Sequence, residues 1–243
     1  MSSPKVSIVM LMSPGREKMA VRALQGVQGQ TYKNVELLAV DTVGMQGKTI
    51  GYMRNVANQM ATGELIAHFD DDDWSHPRRI EEQVALLEAS GKGCVGYREL
   101  LFWDTRTKIG LRDIPSGRYL HAHHDGESWI YCHGDPRWAA GASFLYRREL
   151  WAQYPFFDAP HEDQRWWLEH VSKHCLGQSS ILSEFLCDGE THPRGGQHSP
   201  RLICQMHAGG TEQIPRSVML SGGGGVWRRA PEYDAHCAKV MAL

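Results

Sequence analysis

Continuous apolar runs alternate with segments of helical periodicity over residues 5–91. Each run is long enough for a strand buried on both faces, and each periodic segment has the spacing of an amphipathic helix. The predicted strands are Val6–Met12, Val35–Asp41 and Glu64–Phe69. The predicted helices are Glu17–Gln28, Tyr52–Met60 and a third that begins near Pro77 and is closed by Gly91. This alternation predicts an α/β fold with a mostly parallel sheet and helices on both faces.

The pattern is less regular in the rest of the chain. We predict a hairpin from Gly93–Trp103 and Lys108–Arg112, and a polar, histidine-rich loop over Gly117–Gly134. Further strands are predicted at Ala139–Tyr146 and Ile181–Leu186, and helices at Arg147–Gln153 and Asp163–His174. Because no internal repeat or linker composition interrupts the sequence, we expect a single domain.

Composition narrows the class of protein. The chain has 243 residues with 26 basic and 28 acidic side chains, so its net charge indicates neither a nucleic-acid nor an anionic-membrane partner. No stretch approaches the roughly 20 apolar residues of a membrane helix, and no signal-peptide cleavage pattern follows Val6–Met12. We therefore expect a soluble, cytoplasmic protein without integral membrane association. The six cysteines show no CxxC spacing, which favours reduced thiols over a disulfide framework.

Four consecutive aspartates, 70–73, directly follow the third predicted strand. Such acids repel one another, and the alternative to a binding site is a solvated acidic turn. The run lies at the carboxyl edge of the predicted sheet, where open α/β sheets bind ligands. Carboxylate oxygens at this edge suit Mg²⁺ or Mn²⁺, with phosphate oxygens completing the coordination. We therefore favour a metal–phosphate site over a solvated turn.

Residues 5–90 resemble the donor-binding half of a family 2 glycosyltransferase of the GT-A fold. The motifs that carry this resemblance, in order, are VSIVMLMS, QTYKNVELLAVD and RNVANQMATGELIAHFDDDDWSHPRRIEEQVALL. Looser similarity continues through GASFLYRREL and HEDQRWWLEH. The resemblance implies a Rossmann-like GT-A domain over 1–243, with a nucleotide-sugar-binding half (1–90), an acceptor and catalytic half (91–190) and an irregular C-terminal loop or tail (191–243).

The same resemblance implies a metal-dependent, inverting transfer from a nucleotide sugar, expected to be a UDP-sugar, to an acceptor hydroxyl. The implied donor-binding residues are Met12, Ser13, Asp41, Arg54, Asp70, Asp71 and Arg194. Asp41 matches the acid that binds the base, although it is also placed to cap the next turn. Thr42 departs from the family pattern, since a second acid is usual there.

The expected metal is Mn²⁺ or Mg²⁺, and its implied ligands are Asp70, Asp72 and His192. Asp72 would contact the metal itself, whereas Asp70 would contact the ribose or a metal-bound water. His192 lies in a late loop with His198 as the competing candidate. The histidines at 121–124 with Cys132 and His133 fit no standard zinc spacing, so we interpret them as surface or acceptor-site residues.

An inverting transfer also needs a general base for the acceptor hydroxyl. The resemblance implies Asp163 in this role, with Glu162 as the second candidate. The plain alternative is that acids at a helix N-terminus stabilise the helix dipole. Trp166 and Trp167 are candidates for an acceptor surface, although one of them is expected in the core.

Other functions and acceptors stay open at this point. A sugar nucleotidyltransferase would need a glycine-rich loop with an arginine after the first strand, and SPGRE at 13–17 is a poor version of one. Trp74 argues against a phosphatase of the haloacid-dehalogenase type, and a third alternative is an inactive nucleotide-sugar-binding protein. The expected acceptor is a surface glycan. Hydroxymethylated DNA is the alternative, because arginines concentrate at 98–118 and 194–229.

Overall fold

A computed structural model of the chain describes residues 3–97, 99–105, 126–132, 139–171, 202–206 and 226–242. Three parallel strands form the centre of its first sheet: β1 (Val6–Met12), β2 (Val35–Asp41) and β3 (Leu65–Asp70). β1 lies between the other two, with Val6 opposite both Val35 and Leu65. The predicted bounds of β1 and β2 are confirmed, and β3 is shifted by one residue.

Helices cover both faces of this sheet because the strands are apolar on both sides. The first three helices are α1 (Glu17–Gln28), α2 (Ile50–Met60) and α3 (Arg79–Ser90), and a 3-10 turn, Val43–Met45, precedes α2. α1 and α3 pack on the face that carries Ile8 and Met10. α2 packs through Ala57 on the opposite face, against Val9 and Ile66. The predicted α/β layering is therefore confirmed.

Two short antiparallel strands complete the first sheet in the order β2-β1-β3-β8-β5. They are β5 (Cys94–Val95) and β8 (Leu145–Arg147), and α4 (Arg148–Gln153) follows the latter. The prediction of a strand over Ala139–Tyr146 is wrong for most of its length. Gly141–Ser143 forms a 3-10 turn instead, since the Ser143 hydroxyl donates to Ala140 O and accepts from Tyr97 N.

A second five-stranded sheet was not predicted, and its order is β10-β7-β6-β9-β4. Its strands are β4 (Trp74–Ser75), β6 (Glu99–Asp104), β7 (Glu127–Cys132), β9 (Leu202–Met206) and β10 (Val226–Arg229). A 3-10 turn, Pro231–Tyr233, and a final helix, α6 (Asp234–Met241), follow. α6 packs on one face of this sheet, with Cys237 and Met241 against Leu101 and Trp103.

This sheet corrects two predictions. The loop predicted over Gly117–Gly134 contains β7, which is the antiparallel hairpin partner of β6. The loop or tail predicted over 191–243 contains β9, β10 and α6. Periodicity therefore assigned the wrong structure to the segment that contains β7. β9 and β10 have five and four residues, which are too few to show an apolar period. The predicted strands Lys108–Arg112 and Ile181–Leu186 lie outside the described residues.

The predicted helix Asp163–His174 is two elements over its described part. α5 (Glu162–Trp166) continues directly into one π-helical turn, Trp167–Val171. Both tryptophans are buried beside Phe144 in the core on the α2 side of the sheet. Among the described helices, none has the length and apolarity needed to cross a bilayer.

Candidate functional site

The carboxyl ends of the three parallel strands meet at one edge of the first sheet. Met12 pairs with Asp41, and Leu11 pairs with Asp70, so the ends of β1, β2 and β3 are adjacent. The amide of Ser13 donates to Asp71 Oδ2 at 2.6 Å. The structure thus brings together six of the seven predicted donor-binding residues, because Arg54 also lies beside Asp70. Arg194, His192 and His198 lie outside the described residues.

The aspartate run turns inward at this edge and does not form a solvated loop. Carboxylate oxygens of Asp70, Asp72 and Asp73 all lie within 4.8 Å of one another. Asp71, Asp72 and Asp73 are buried, whereas the Asp70 side chain remains 40% exposed. Asp73 was not among the predicted metal ligands; it also accepts a hydrogen bond from the amide of Gln205 on β9.

The electrostatics of the run favour a bound cation. Loss of solvation, opposed by Arg54 and reinforced by Asp72 and Asp71, raises the pKa of Asp70 to about 6. Burial and the charges of Asp72 and Asp70 hold the pKa of Asp73 well above its usual range. Crowded carboxylates of this kind are stabilised by a hard divalent ion. The residues present therefore fit Mg²⁺ or Mn²⁺, with Asp70, Asp72 and Asp73 as available ligands.

Arg16 is a site residue that the sequence analysis did not identify. Its Nη1 donates to Asp71 Oδ1 at 2.9 Å and to Asp72 Oδ2 at 2.8 Å. The residue follows a turn in which Gly15 adopts a φ of 81°, a conformation that favours glycine. The signal was present in SPGRE: an arginine just after a tight turn at the end of a buried strand faces the same sheet edge as the acids.

Arg54 connects the aspartate run with the HED segment of residues 161–163. Its Nη1 donates to Glu162 Oε1 in a buried ion pair, and its Nη2 lies 4.0 Å from Asp70 Oδ1. Burial alone would lower the pKa of Arg54, but Glu162, Asp70 and Asp163 together raise it. Arg54 is therefore a fixed, buried positive charge between the two acidic segments.

Glu162 and Asp163 differ in their surroundings although they are neighbours. Glu162 is 5% exposed and its carboxylate is held by Arg54, which gives it a structural role. Asp163 is partly exposed, and its Oδ1 caps the amide of Gln164 at 2.8 Å. A Cβ at Gly141 would lie 2.4 Å from Asp163 Oδ2, so the 3-10 turn approaches this carboxylate closely. Of the two candidate bases, the structure leaves Asp163 accessible.

The start of α2 holds the segment that leads to Asp163. Asn55 Oδ1 accepts from the amide of Phe156 and from the Trp151 indole, and its Nδ2 donates to Phe156 O at 2.8 Å. Gly51 allows the contact, because a Cβ there would lie 1.9 Å from Phe157 O. The RN pair of the predicted motif thus has two uses: Arg54 binds Glu162, and Asn55 binds the main chain that precedes it.

Asp41 lies at the site edge but already has a local partner. Its side chain is exposed, and Oδ1 accepts from the amide of Val43 at 2.8 Å, as the turn-capping alternative predicted. Thr42 is buried, and its hydroxyl donates to Met12 O at 2.9 Å. The departure from an acid at this position therefore has a structural reason, since a threonine ties the ends of β1 and β2 together.

The predicted acceptor surface of Trp166 and Trp167 is wrong. The two residues are 0% and 2% exposed, so neither ring can contact a sugar. Partly exposed aromatic rings lie instead on the second sheet, where Trp227 is 5.1 Å from Phe102 and 4.8 Å from Tyr131 between ring centroids. Sequence reasoning missed this group because its three strands were not predicted together.

Comparison with known proteins finds similarity to one family over part of the chain. Residues 45–152 match the family described as Glycosyl transferase family 2. The Bacillus subtilis protein named putative glycosyltransferase EpsE is 31% identical over 139 residues, which cover 47% of this chain and 50% of that protein. The aligned part of this chain thus spans about half the length of the curated relative.

Solved structures share the fold at low sequence identity. The mannosyltransferase PcManGT from Pyrobaculum calidifontis, in complex with GDP-Man and Mn²⁺, has a TM-score of 0.52 at 14% identity, over 85% of this chain and 57% of that one. TarS 1–349 from S. aureus, in complex with UDP-GlcNAc, has a TM-score of 0.52 at 15% identity, over 98% of this chain and 70% of that one. These similarities confirm the predicted GT-A fold.

Proposed function

We propose that this chain is a glycosyltransferase of family 2, whose family model matches residues 45–152, and that it transfers a sugar from a nucleotide-sugar donor to an acceptor hydroxyl with inversion. The observation that carries the proposal is the convergence of three groups at one sheet edge. The aspartate run, the fixed cation of Arg54 and the accessible carboxylate of Asp163 come together although they are up to 109 positions apart.

The donor is proposed to bind along the carboxyl edge of β1–β3. Ser13 and Asp41 lie where the nucleotide would be held, and Arg54 supplies positive charge beside Asp70. A divalent cation held by Asp70 and Asp72, with Asp73 adjacent, would act as a Lewis acid that neutralises the leaving diphosphate. We propose a UDP-sugar as donor and Mn²⁺ or Mg²⁺ as cofactor, in line with the UDP-GlcNAc and Mn²⁺ bound in the two solved structures.

Asp163 is proposed as the general base. It would accept the proton of the acceptor hydroxyl while that oxygen bonds to the anomeric carbon and the bond from this carbon to the diphosphate breaks. Its position beside Gly141 and its partial exposure support this role. Glu162 is less suited, because a carboxylate paired with Arg54 would have to leave a buried ion pair to take the proton.

The acceptor is proposed to be a glycan hydroxyl, and the reaction is proposed to take place in the cytoplasm. Incubation of the purified protein and a labelled donor with simple glycans, and separately with hydroxymethylated DNA, tests the acceptor. Label transfer to glycan supports the proposal, and transfer to DNA alone overturns it. Cell fractionation tests the location.

The decisive experiment is metal-dependent binding of UDP and hydrolysis of UDP-sugars. We expect the wild type to bind UDP only with Mn²⁺ or Mg²⁺ present, and Asp72→Ala to lose that binding. Glu149→Ala, which removes an exposed acid on α4, serves as the control. Equal UDP binding by Asp72→Ala and Glu149→Ala, or no donor turnover at all, would contradict the proposed function and leave an inactive binding protein or another phosphate enzyme.

A further inference from the structure

Arg16 lies in the aspartate run as a held counter-ion. Its guanidinium bonds to carboxylates of Asp71 and Asp72, and the side chain is only 12% exposed. The main chain is anchored too, because Arg16 O accepts from the amide of Ala20 in the first turn of α1. The contact is therefore part of the folded site and not a chance pairing at the surface.

The other buried arginines near the run donate their hydrogen bonds to groups other than its carboxylates. Arg22 Nη2 donates to the main-chain oxygen of Asp72, and Arg79 Nη2 donates to main-chain oxygens of His68 and Ala142. Arg54 is hydrogen-bonded to Glu162, and its Nη2 lies 4.0 Å from Asp70 Oδ1, beyond hydrogen-bond distance. Arg16, in contrast, donates to the carboxylate of Asp72. This carboxylate belongs to the three-aspartate cluster, which is formed by Asp70, Asp72 and Asp73.

A guanidinium and a divalent cation at one carboxylate repel each other, since two like charges would lie within a few ångströms. Asp71 offers Arg16 a second attachment outside the three-aspartate cluster, and the Ser13 amide holds the orientation of that carboxylate. Arg16 can therefore release Asp72 without leaving the site.

We propose that Arg16 occupies Asp72 when no divalent cation is bound, and that cation binding displaces it so that the freed guanidinium, still tethered to Asp71, binds the donor diphosphate. This inference rests on the metal site of the proposed function and deepens it by coupling metal binding to donor binding. Guanidinium donors suit diphosphate oxygens because the charged hydrogen bonds are short and can be bidentate.

The test is direct Mn²⁺ titration of the whole chain by EPR or calorimetry, without nucleotide. We expect Arg16→Gln to bind Mn²⁺ about tenfold more tightly than the wild type, because the competing cation is gone. The matched control is Lys18→Gln, which removes the same charge from an exposed position two residues away; we expect its affinity to stay within about twofold of the wild type. Arg16→Lys keeps the charge but not the paired geometry, and we expect an affinity about threefold above the wild type.

A second measurement follows UDP binding at saturating Mn²⁺. We expect Arg16→Gln to bind UDP about fivefold more weakly than Lys18→Gln, since the freed guanidinium is missing. Should Arg16→Gln not fold, the same two titrations on Arg16→Lys decide the question.

The outcomes separate the inference from the proposed function. If the wild type binds Mn²⁺ and Arg16 variants bind it no more tightly than Lys18→Gln, displacement of Arg16 is overturned while the metal site stands. If UDP affinity at saturating Mn²⁺ is unchanged in Arg16→Gln, the diphosphate role is overturned. If neither wild type nor variants bind Mn²⁺, the metal site fails and the inference fails with it.

Discussion

Single residues in this site take their roles from their partners rather than from their type. Asp71 accepts hydrogen bonds from the Ser13 amide and from Arg16. Asp73 accepts one from the Gln205 amide. The Asp70 side chain stays partly exposed beside Arg54. The same contrast separates Glu162 from Asp163. We therefore expect different effects from substitutions at the proposed base, Asp163, and at its buried neighbour, Glu162.

Asp163→Asn removes the proposed proton acceptor and keeps the shape of the side chain. We expect kcat for sugar transfer to fall by about 10²–10⁴, the usual contribution of a positioned general base. Mn²⁺ and UDP affinities should stay at wild-type values, measured by calorimetry. Glu149→Gln, which removes the charge of an exposed acid on α4, is the control. A kcat within threefold of the wild type would rule out Asp163 as the base.

Glu162→Gln tests the structural role of the Arg54 pair. Because buried Arg54 would lose the carboxylate to which it is hydrogen-bonded, we expect the free energy of unfolding in urea to fall by about 3 kcal/mol. The control is Glu169→Gln, whose partner Arg165 is 44% exposed and for which we expect a loss below about 1 kcal/mol. Equal losses in the two variants would show that the Arg54–Glu162 pair does not stabilise the fold.

At the scale of elements, α2 positions the HED segment as well as covering the sheet. Thr49 caps its first turn by accepting from the Tyr52 amide, and the Thr49 hydroxyl donates to Asp158 at 2.5 Å. Gly51 then meets the Phe157 main chain at the same end of the helix. α2 and the approach to α5 therefore form one packed unit.

Gly51→Ala should displace the HED segment from the start of α2. The new methyl group would overlap Phe157 O, a main-chain atom that cannot move alone, so the HED segment must shift. We expect kcat to fall by about 10²-fold, the cost of an ångström-scale misplacement of a catalytic group, while Mn²⁺ binding persists. Gly44→Ala is the matched control, since nothing lies within 4 Å of a Cβ at that position. Wild-type kcat in Gly51→Ala would contradict the proposed dependence.

At the scale of the whole molecule, Arg22 joins the first sheet and its helices to the second sheet. From α1, its guanidinium donates to Asp72 O and Gln205 Oε1 at 2.5 Å each and to Met241 O at 3.1 Å. These acceptors belong to the aspartate run, β9 and α6. One buried side chain thus connects the aspartate run at the carboxyl edge of the first sheet with β9 and α6.

Arg22→Met keeps the apolar stem and removes the three donated hydrogen bonds. Because buried oxygens would lose their partners, we expect unfolding in urea to require about 3 kcal/mol less free energy than in the wild type. Arg148→Met, at an exposed position on α4, is expected to change stability by less than about 0.5 kcal/mol. A similar small change in Arg22→Met would mean that Arg22 does not hold the two sheets together.

The order of apolar and polar residues was enough to predict the three parallel strands of the first sheet and the position of the aspartate run. β1, α1 and β2 were predicted at their observed bounds, because apolar runs and helical spacing record burial directly in the order of residues. The aspartate run was placed at the carboxyl edge for the same reason, since it follows a buried strand.

Which residues meet at that edge could be seen only in the folded chain. β7, β9 and β10 are short and pair with strands distant in sequence, so no local period marks them. Glu162 pairs with Arg54 across 108 positions, Arg16 bonds to Asp72 across 56, and both Trp166 and Trp167 are buried in the core. The local sequence pattern indicates whether a residue is buried, but the packing of helices and strands determines which residue it contacts. This packing places Glu162 in a buried ion pair and leaves the neighbouring Asp163 partly exposed.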